Sequence, residues 1–184
     1  MSVHVVILAA GQGSRMKSNL PKVLHPLAGK SLLHHVVENA DKLGAEGTHI
    51  VIGHGAELVR DSFEDVTTSN TIHWSKQEQQ LGTGHAVAQA LPNVPDDVTV
   101  LILYGDVPLT NTATLSALLS HVSEKSIALL TVNLDDPSGY GRIVRDASGF
   151  VQAIVEQKDA TPQQLAISEI NTGILAAPAS KLKE

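Results

Sequence analysis

The chain has 184 residues, 42% of them hydrophobic, no cysteine, and a formal net charge of −6 from 13 Lys+Arg against 19 Asp+Glu. That length and apolar content suit one sizeable core, and the absence of cysteine excludes disulfides, thiolate chemistry and cysteine-held zinc or iron–sulfur centres. The acidic balance and 3% aromatic content argue against a nucleic-acid partner, although two or three clustered cations suffice to hold a nucleoside triphosphate. The opening MSVHVVILAAG has no basic stretch ahead of its apolar run, and no run reaches about 18 apolar residues, so a soluble cytoplasmic protein without membrane contact is expected.

Residues 3–8 form an almost unbroken apolar run, too short for a helix core and too continuous for a strand with one wet face. They predict an interior parallel strand. The run stops at Ala9, Ala10, Gly11 and Gly13, whose small side chains let backbone N–H groups approach an anion. Arg15 and Lys22 follow as cations for phosphate. Two other phosphate motifs fail here. A dinucleotide fingerprint wants a third glycine where Met16 stands, and an acidic residue at the end of the second strand, where Gly53 and His54 stand. Gly29-Lys30-Ser31 resembles the tail of a Walker A loop, but the glycine needed five residues earlier is Leu24. An ordinary tight turn with surface cations stays open as the plainer reading.

Residues 23–27 read as a short extended piece. Ser31 then begins a helix with Leu32, Leu33, Val36, Val37, Ala40 and Leu43 at helical spacing, ended by Gly44 and Gly47. A strand at 48–52, a helix at 56–63 and a strand at 71–74 complete a βαβαβ pattern, which predicts a mostly parallel sheet with right-handed crossovers. Gly82-Thr83-Gly84 opens a helix over 85–91, where Gly82 and Thr83 could serve only as a cap. The strongest strand, 98–103, delivers Tyr104-Gly105-Asp106-Val107-Pro108. A carboxylate just beyond a central parallel strand lies in the crevice where open α/β sheets bind ligands, with a turn or capping role for Asp106 as the bland alternative.

A helix over 112–122, capped by Thr110 or Asn111, and a buried strand at 127–132 follow. From Asp135 onward, glycine turns and alternation at 142–145 and 150–155 predict a hairpin or mixed-sheet extension over one edge of the crevice. A helical piece at 162–165, a strand at 170–175 and the first turn of another helix end the chain. A last strand without a covering helix suggests part of a longer protein. The nine histidines show neither His-Glu-x-x-His nor cysteine partners, so no transition-metal site is expected; His34 and His35 read as helix packing and a wet face, and Trp74 as core. No Gly-x-Ser-x-Gly elbow supports hydrolase chemistry.

Four separated stretches then agree: LAAGQGSRM with PK at 8–22, QEQQLGTGHA at 77–86, YGDVPL at 104–109, and GYGRIVR, EQKDAT and EINTGI within 139–174. Together they resemble the sugar-nucleotide pyrophosphorylases over essentially the whole chain. The similarity is greatest to the uridylyltransferase half of the bifunctional bacterial N-acetylglucosamine-1-phosphate uridylyltransferases/glucosamine-1-phosphate acetyltransferases. The first motif alone would admit relatives that use other bases; LGTGHA and EINTGI narrow it.

The resemblance implies a Rossmann-like α/β fold with an open, mostly parallel mixed sheet of the nucleotide-diphospho-sugar transferase type. Residues 1–184 would be the amino-terminal part of the pyrophosphorylase domain. It also implies synthesis of UDP-N-acetylglucosamine, a cell-wall precursor, and pyrophosphate from UTP and N-acetylglucosamine 1-phosphate, with Mg²⁺ as cofactor. Leu8, Ala9, Ala10 and Gly11 would line the nucleotide, with Arg15 and Lys22 as catalytic phosphate holders. Gln77, Gly82 and Thr83 would read the uracil edge, though Gln77 could equally be a surface amide. Tyr104 and Gly105 would flank nucleotide and sugar, and Asp106 would bind the metal. Gly141, Glu156 and Asn171 would take the N-acetylglucosamine part, with Glu156 otherwise an ordinary strand-end charge. In the family a second metal-binding asparagine, and a left-handed β-helix for acetyl transfer and homotrimer formation, lie beyond residue 184, so a fragment of this length is expected to be impaired or inactive.

Overall fold

The computed structural model describes residues 2–13 and 16–184. They fall into two compact units, Met1–Ala128 with Leu175–Glu184, and Leu129–Ile174.

The first unit grows from β1 (Val3–Ala9), whose Val5, Val6 and Ile7 are fully buried. Alternation sends Val6 and Leu8 to one face and Val5 and Ile7 to the other, so a strand covered on both faces reads as a continuous apolar run. Residues 23–27 are not simply extended: Lys22–Leu24 is a 3-10 turn, closed by Leu24 N–H donating to the Pro21 carbonyl. A small antiparallel hairpin of β2 (Pro26–Leu27) and β3 (Lys30–Ser31) follows. Helix α1 (Leu32–Lys42) is capped by Ser31, whose Oγ accepts from His34 N–H at 3.2 Å, and it buries Leu33, Val36, Val37 and Ala40.

β4 (Gly47–Ile52) is buried throughout. α2 (Ala56–Asp61) stops short of 63, where the Ser62 hydroxyl donates to the Val59 carbonyl. β5 (Thr71–Lys76) leads to α3 (Thr83–Ala90), and β6 (Thr99–Tyr104) to α4 (Thr112–Leu119), which Asn111 caps by accepting from Thr114 N–H at 2.8 Å. β1 pairs in parallel with both β4 and β6, and β4 with β5. α3 packs on β1 and β4 over a cluster that includes Val6, Leu8, Ala10, Val51, Ala86 and Ile102, while α1 packs on β1 and α4. Trp74, expected in the core, is half-buried and meets Phe63 edge-on; His34 stacks on Phe63, and His35 Nε2 meets the Leu27 carbonyl at 2.7 Å.

The second unit takes in β7 (Ala128–Asn133) from its second residue on, the antiparallel hairpin of β8 (Arg142–Arg145) and β9 (Val151–Val155), and α5 (Pro162–Leu165) with a Thr161–Gln164 capping box. β10 (Glu169–Pro178) pairs here with β7 and, antiparallel, with β8. Arg145 grips Glu169 with Nε to Oε2 at 2.8 Å and Nη2 to Oε1 at 2.6 Å. The end of β10 belongs to the first unit, where Leu175–Pro178 run antiparallel to β6, and α6 (Ala179–Leu182) follows. The result is the mixed α/β sheet expected. Among the described residues no helix is long and apolar enough to cross a membrane.

Candidate functional site

Parallel pairing brings the carboxyl ends of β1, β4, β5 and β6 to one edge, and the loops beyond them keep bonding to one another. Gly105 N–H donates to the Leu8 carbonyl at 2.9 Å, and Gln77 N–H to the Ile52 carbonyl at 2.8 Å. The Ala10 carbonyl accepts from His54 N–H at 3.4 Å and from Gln80 Nε2 at 2.8 Å. Leu8, Ala9 and Ala10 are buried, while Gly11 is exposed at the mouth. Tyr104 pairs with Leu8 in register and packs against the cluster containing Leu8 and Ala10.

The charged groups meet beside this edge. Lys22 Nζ and an Asp106 carboxylate oxygen form an ion pair, with the side chains 39% and 23% exposed. Asp106 sits in a tight turn closed by Val107 N–H to the Tyr104 carbonyl at 3.1 Å. Gly105 is closely packed in that turn: a Cβ there would lie 3.1 Å from Leu33 Cδ1 and 3.2 Å from Val23 Cγ1, so those side chains would have to give way. Gly13 has φ +60°, and a Cβ on it would lie 2.7 Å from the Lys22 Cβ. The glycine loop therefore seats the stem of the cation. Arg15 lies outside the described residues.

Gln77 is 5% exposed, which overturns the surface-amide alternative. Its Nε2 reaches the Gly82 carbonyl at 3.0 Å and His85 Nδ1 at 3.0 Å. Gly82 is the N-cap of α3, with φ +104° and no side-chain cap, and Thr83 is the exposed first helical residue. Sequence reasoning missed Gln80 and His85, although both stand inside the QEQQLGTGHA stretch.

In the second unit, Gly141, Glu156 and Asn171 come together. Asn171 N–H donates to the Gly141 carbonyl at 2.8 Å, and a Cβ on Gly141 would lie 3.1 Å from Glu156 Oε1. Asn171 Oδ1 accepts from Gly173 N–H at 2.8 Å. Arg142 was also missed. It is 2% exposed, donates to the Tyr140 carbonyl, and reaches Gln157 Oε1 at 3.4 Å. Gln157 Oε1 also accepts from Gly139 N–H, so the buried guanidinium and Gln157 together brace the turn that presents Gly141.

The sequence profile of the MobA-like NTP transferase domain matches residues 5–162. The chain belongs to that family. It is 64% identical over 182 residues to the bifunctional protein GlmU of Marinobacter nauticus, covering 99% of this chain and 39% of that protein. Against the bifunctional protein GlmU of Pseudomonas entomophila the identity is 59% over 184 residues, covering 100% of this chain and 39% of that protein. This chain thus spans well under half the length of those relatives. A crystal structure of UDP-glucose pyrophosphorylase complexed with UDP-glucose superposes with a TM-score of 0.79 at 17% identity, over 100% of this chain and 78% of that one, and shows the same fold.

For a MobA-like NTP transferase domain the remaining question is whether the donor set suits Mg²⁺. Among the described residues no group of three or more His, Asp, Glu or Cys side chains converges on a metal position. Asp106 offers a partly exposed carboxylate just beyond β6. One carboxylate suits Mg²⁺, which keeps waters and takes its other ligands from substrate phosphates, better than it suits a closed protein cage. The residues present therefore fit an ion that arrives with a triphosphate.

Proposed function

We propose that this chain carries a Mg²⁺-dependent uridylyltransferase site that makes UDP-N-acetylglucosamine and pyrophosphate from UTP and N-acetylglucosamine 1-phosphate. The observation that carries the reading is the Lys22–Asp106 pair, a cation and a carboxylate held together at the carboxyl ends of β1 and β6 beside a glycine loop. A phosphate oxygen of the sugar 1-phosphate attacks the α-phosphorus of UTP; the new P–O bond forms as the bond to the β-phosphate bridging oxygen breaks, and pyrophosphate leaves with that electron pair. The attacking group is already an anion, so no protein nucleophile or general base is needed. The barrier lies in crowding negative charges, which cations and aimed N–H groups relieve.

In this reading Lys22 and Arg15 hold the phosphates, and the backbone of Leu8, Ala9, Ala10 and Gly11 lines the nucleotide. Gln77, Gly82 and Thr83 face the base, and Tyr104 and Gly105 flank nucleotide and sugar. Asp106 would hold Mg²⁺, which when bound neutralises triphosphate charge. Gly141, Glu156 and Asn171 would take the N-acetylated sugar. Similarity to far longer proteins named bifunctional supports a second activity outside this span; in this reading the intact protein is a cytoplasmic enzyme whose further domain would carry glucosamine-1-phosphate acetyl transfer and form the trimer. Competing UTP, CTP, GTP and dTTP in the intact protein, with sugar 1-phosphate and Mg²⁺ and scored by pyrophosphate release, tests the reading. UTP is expected to be preferred; turnover without base preference, or nucleotide-sugar binding without turnover, would overturn it.

A further inference from the structure

We propose that His85 is a positioning residue for base choice: it locks the Gln77 amide so that an oxygen faces the base. The inference rests on the uridylyl-transfer reading and adds a residue to it.

Gln77 is nearly buried, and the orientation of its amide follows from its neighbours. The Gly82 carbonyl can only accept, so the group facing it at 3.0 Å is the Gln77 NH₂. The other Nε2 hydrogen points to His85 Nδ1, also at 3.0 Å. Nδ1 must then be the unprotonated acceptor, which places the ring proton of neutral His85 on Nε2. Gln89 Nε2 lies 3.2 Å from that nitrogen and also donates to the His85 carbonyl at 3.2 Å, so in this tautomer the half-buried Gln89 side chain draws back from the ring and the Nε2 proton bonds to water. Both Gln77 donors are thereby used, and among the described residues Oε1 has no hydrogen-bond partner.

A free amide oxygen is an acceptor only. Uracil presents an N3–H donor, whereas cytosine presents a bare N3 acceptor and an amino group in the same region. A fixed Oε1 therefore pairs with uracil and repels cytosine at N3. Gly82 alone holds one hydrogen and leaves the amide plane free to swing about that bond; His85 holds the second and fixes the plane. His85 lies in the first turn of α3, whose Gly82 cap carries the other acceptor, so helix start and amide lock are one local structure.

The test compares His85→Leu, which removes the acceptor, with His85→Asn, whose Oδ1 can replace Nδ1. The measured quantity is the ratio of kcat/KM for UTP to that for CTP in the intact protein, with circular dichroism as the fold control. His85→Leu should lower the ratio at least tenfold, with kcat at saturating UTP changing much less, and His85→Asn should recover most of it. In parallel, ¹⁵N NMR should find the His85 proton on Nε2, and the Gln77 amide signals should shift in His85→Leu but return toward the wild type in His85→Asn. An unchanged UTP:CTP ratio in folded His85→Leu, or a proton on Nδ1 in the wild type, would overturn the proposal. A wild type that does not prefer UTP sinks the uridylyl reading instead, and the NMR measurement still decides whether His85 holds the amide.

Discussion

Lys22 and Asp106 neutralise each other across the turns that follow the glycine loop and β6. In the proposed reading, incoming triphosphate and Mg²⁺ would offer each a better partner and would separate the pair. Such a half-exposed pair contributes within about 1 kcal/mol to stability. Lys22→Ala and Asp106→Asn should therefore leave urea midpoints nearly unchanged while activity falls sharply. For Lys22→Ala the lost phosphate contact should cost roughly 1.5–3 kcal/mol, a tenfold to hundredfold loss in kcat/KM for UTP. Wild-type turnover in folded Asp106→Asn would remove Asp106 from the metal site.

Gly13→Ala should mimic Lys22→Ala without touching the cation. The added methyl would sit 2.7 Å from the Lys22 Cβ, at a φ of +60° that costs an alanine roughly 1–2 kcal/mol. The lysine stem must move, and UTP should bind more weakly. Isothermal titration with UTP and Mg²⁺ reads this directly; undiminished affinity would mean that Lys22 does not reach the phosphates.

On the sugar side, Gly141→Ala should raise the KM for the sugar 1-phosphate several-fold and leave the KM for UTP near the wild-type value. A Cβ there meets Glu156 Oε1 at 3.1 Å and Ile154 Cγ2 at 3.2 Å, so the carboxylate has to shift. Equal changes in both KM values would contradict a separate sugar role.

Stability should fall with acid in two windows. His49 is fully buried, and burial first, then His73 and His4, lower its pKa from 6.5 to about 4. The unfolded chain takes up this proton at higher pH than the folded one, so stability is whole above 6.5 and declines as pH falls toward 4, by on the order of 3 kcal/mol. Glu169, held chiefly by Arg145 and lowered from 4.5 to about 2, acts later: its contribution is full above 4.5 and is lost as pH falls through 2. Urea midpoints between pH 7 and 4.5 should slope downward in the wild type and flatten in His49→Leu. A parallel slope in that variant would assign the acid sensitivity elsewhere.

Residues 3–8 could be read as an interior strand because burial on both faces leaves a nearly unbroken apolar run, 48–52 and 98–103 as strands from their short apolar-rich runs, and Ser31 and the Thr110–Asn111 pair as caps because a cap bonds only within its own first turn. The glycine loop, Lys22 and Asp106 were legible for the same reason: strand, turn and charge follow one another along the chain. Their mutual contact was not, since it depends on β1 and β6 lying side by side. Tertiary structure also turned β10 antiparallel against β6, and stacked His4, His49 and His73 through the register of β1, β4 and β5. It decided that Gln77 and Arg142 are buried. A buried amide or guanidinium depends on acceptors brought by other segments, here Gly82, His85, Tyr140 and Gln157, and a polar residue read by itself carries no sign of them. Local pattern thus determined which elements form and where the charged loops fall, while long-range pairing decided which of those groups face one another.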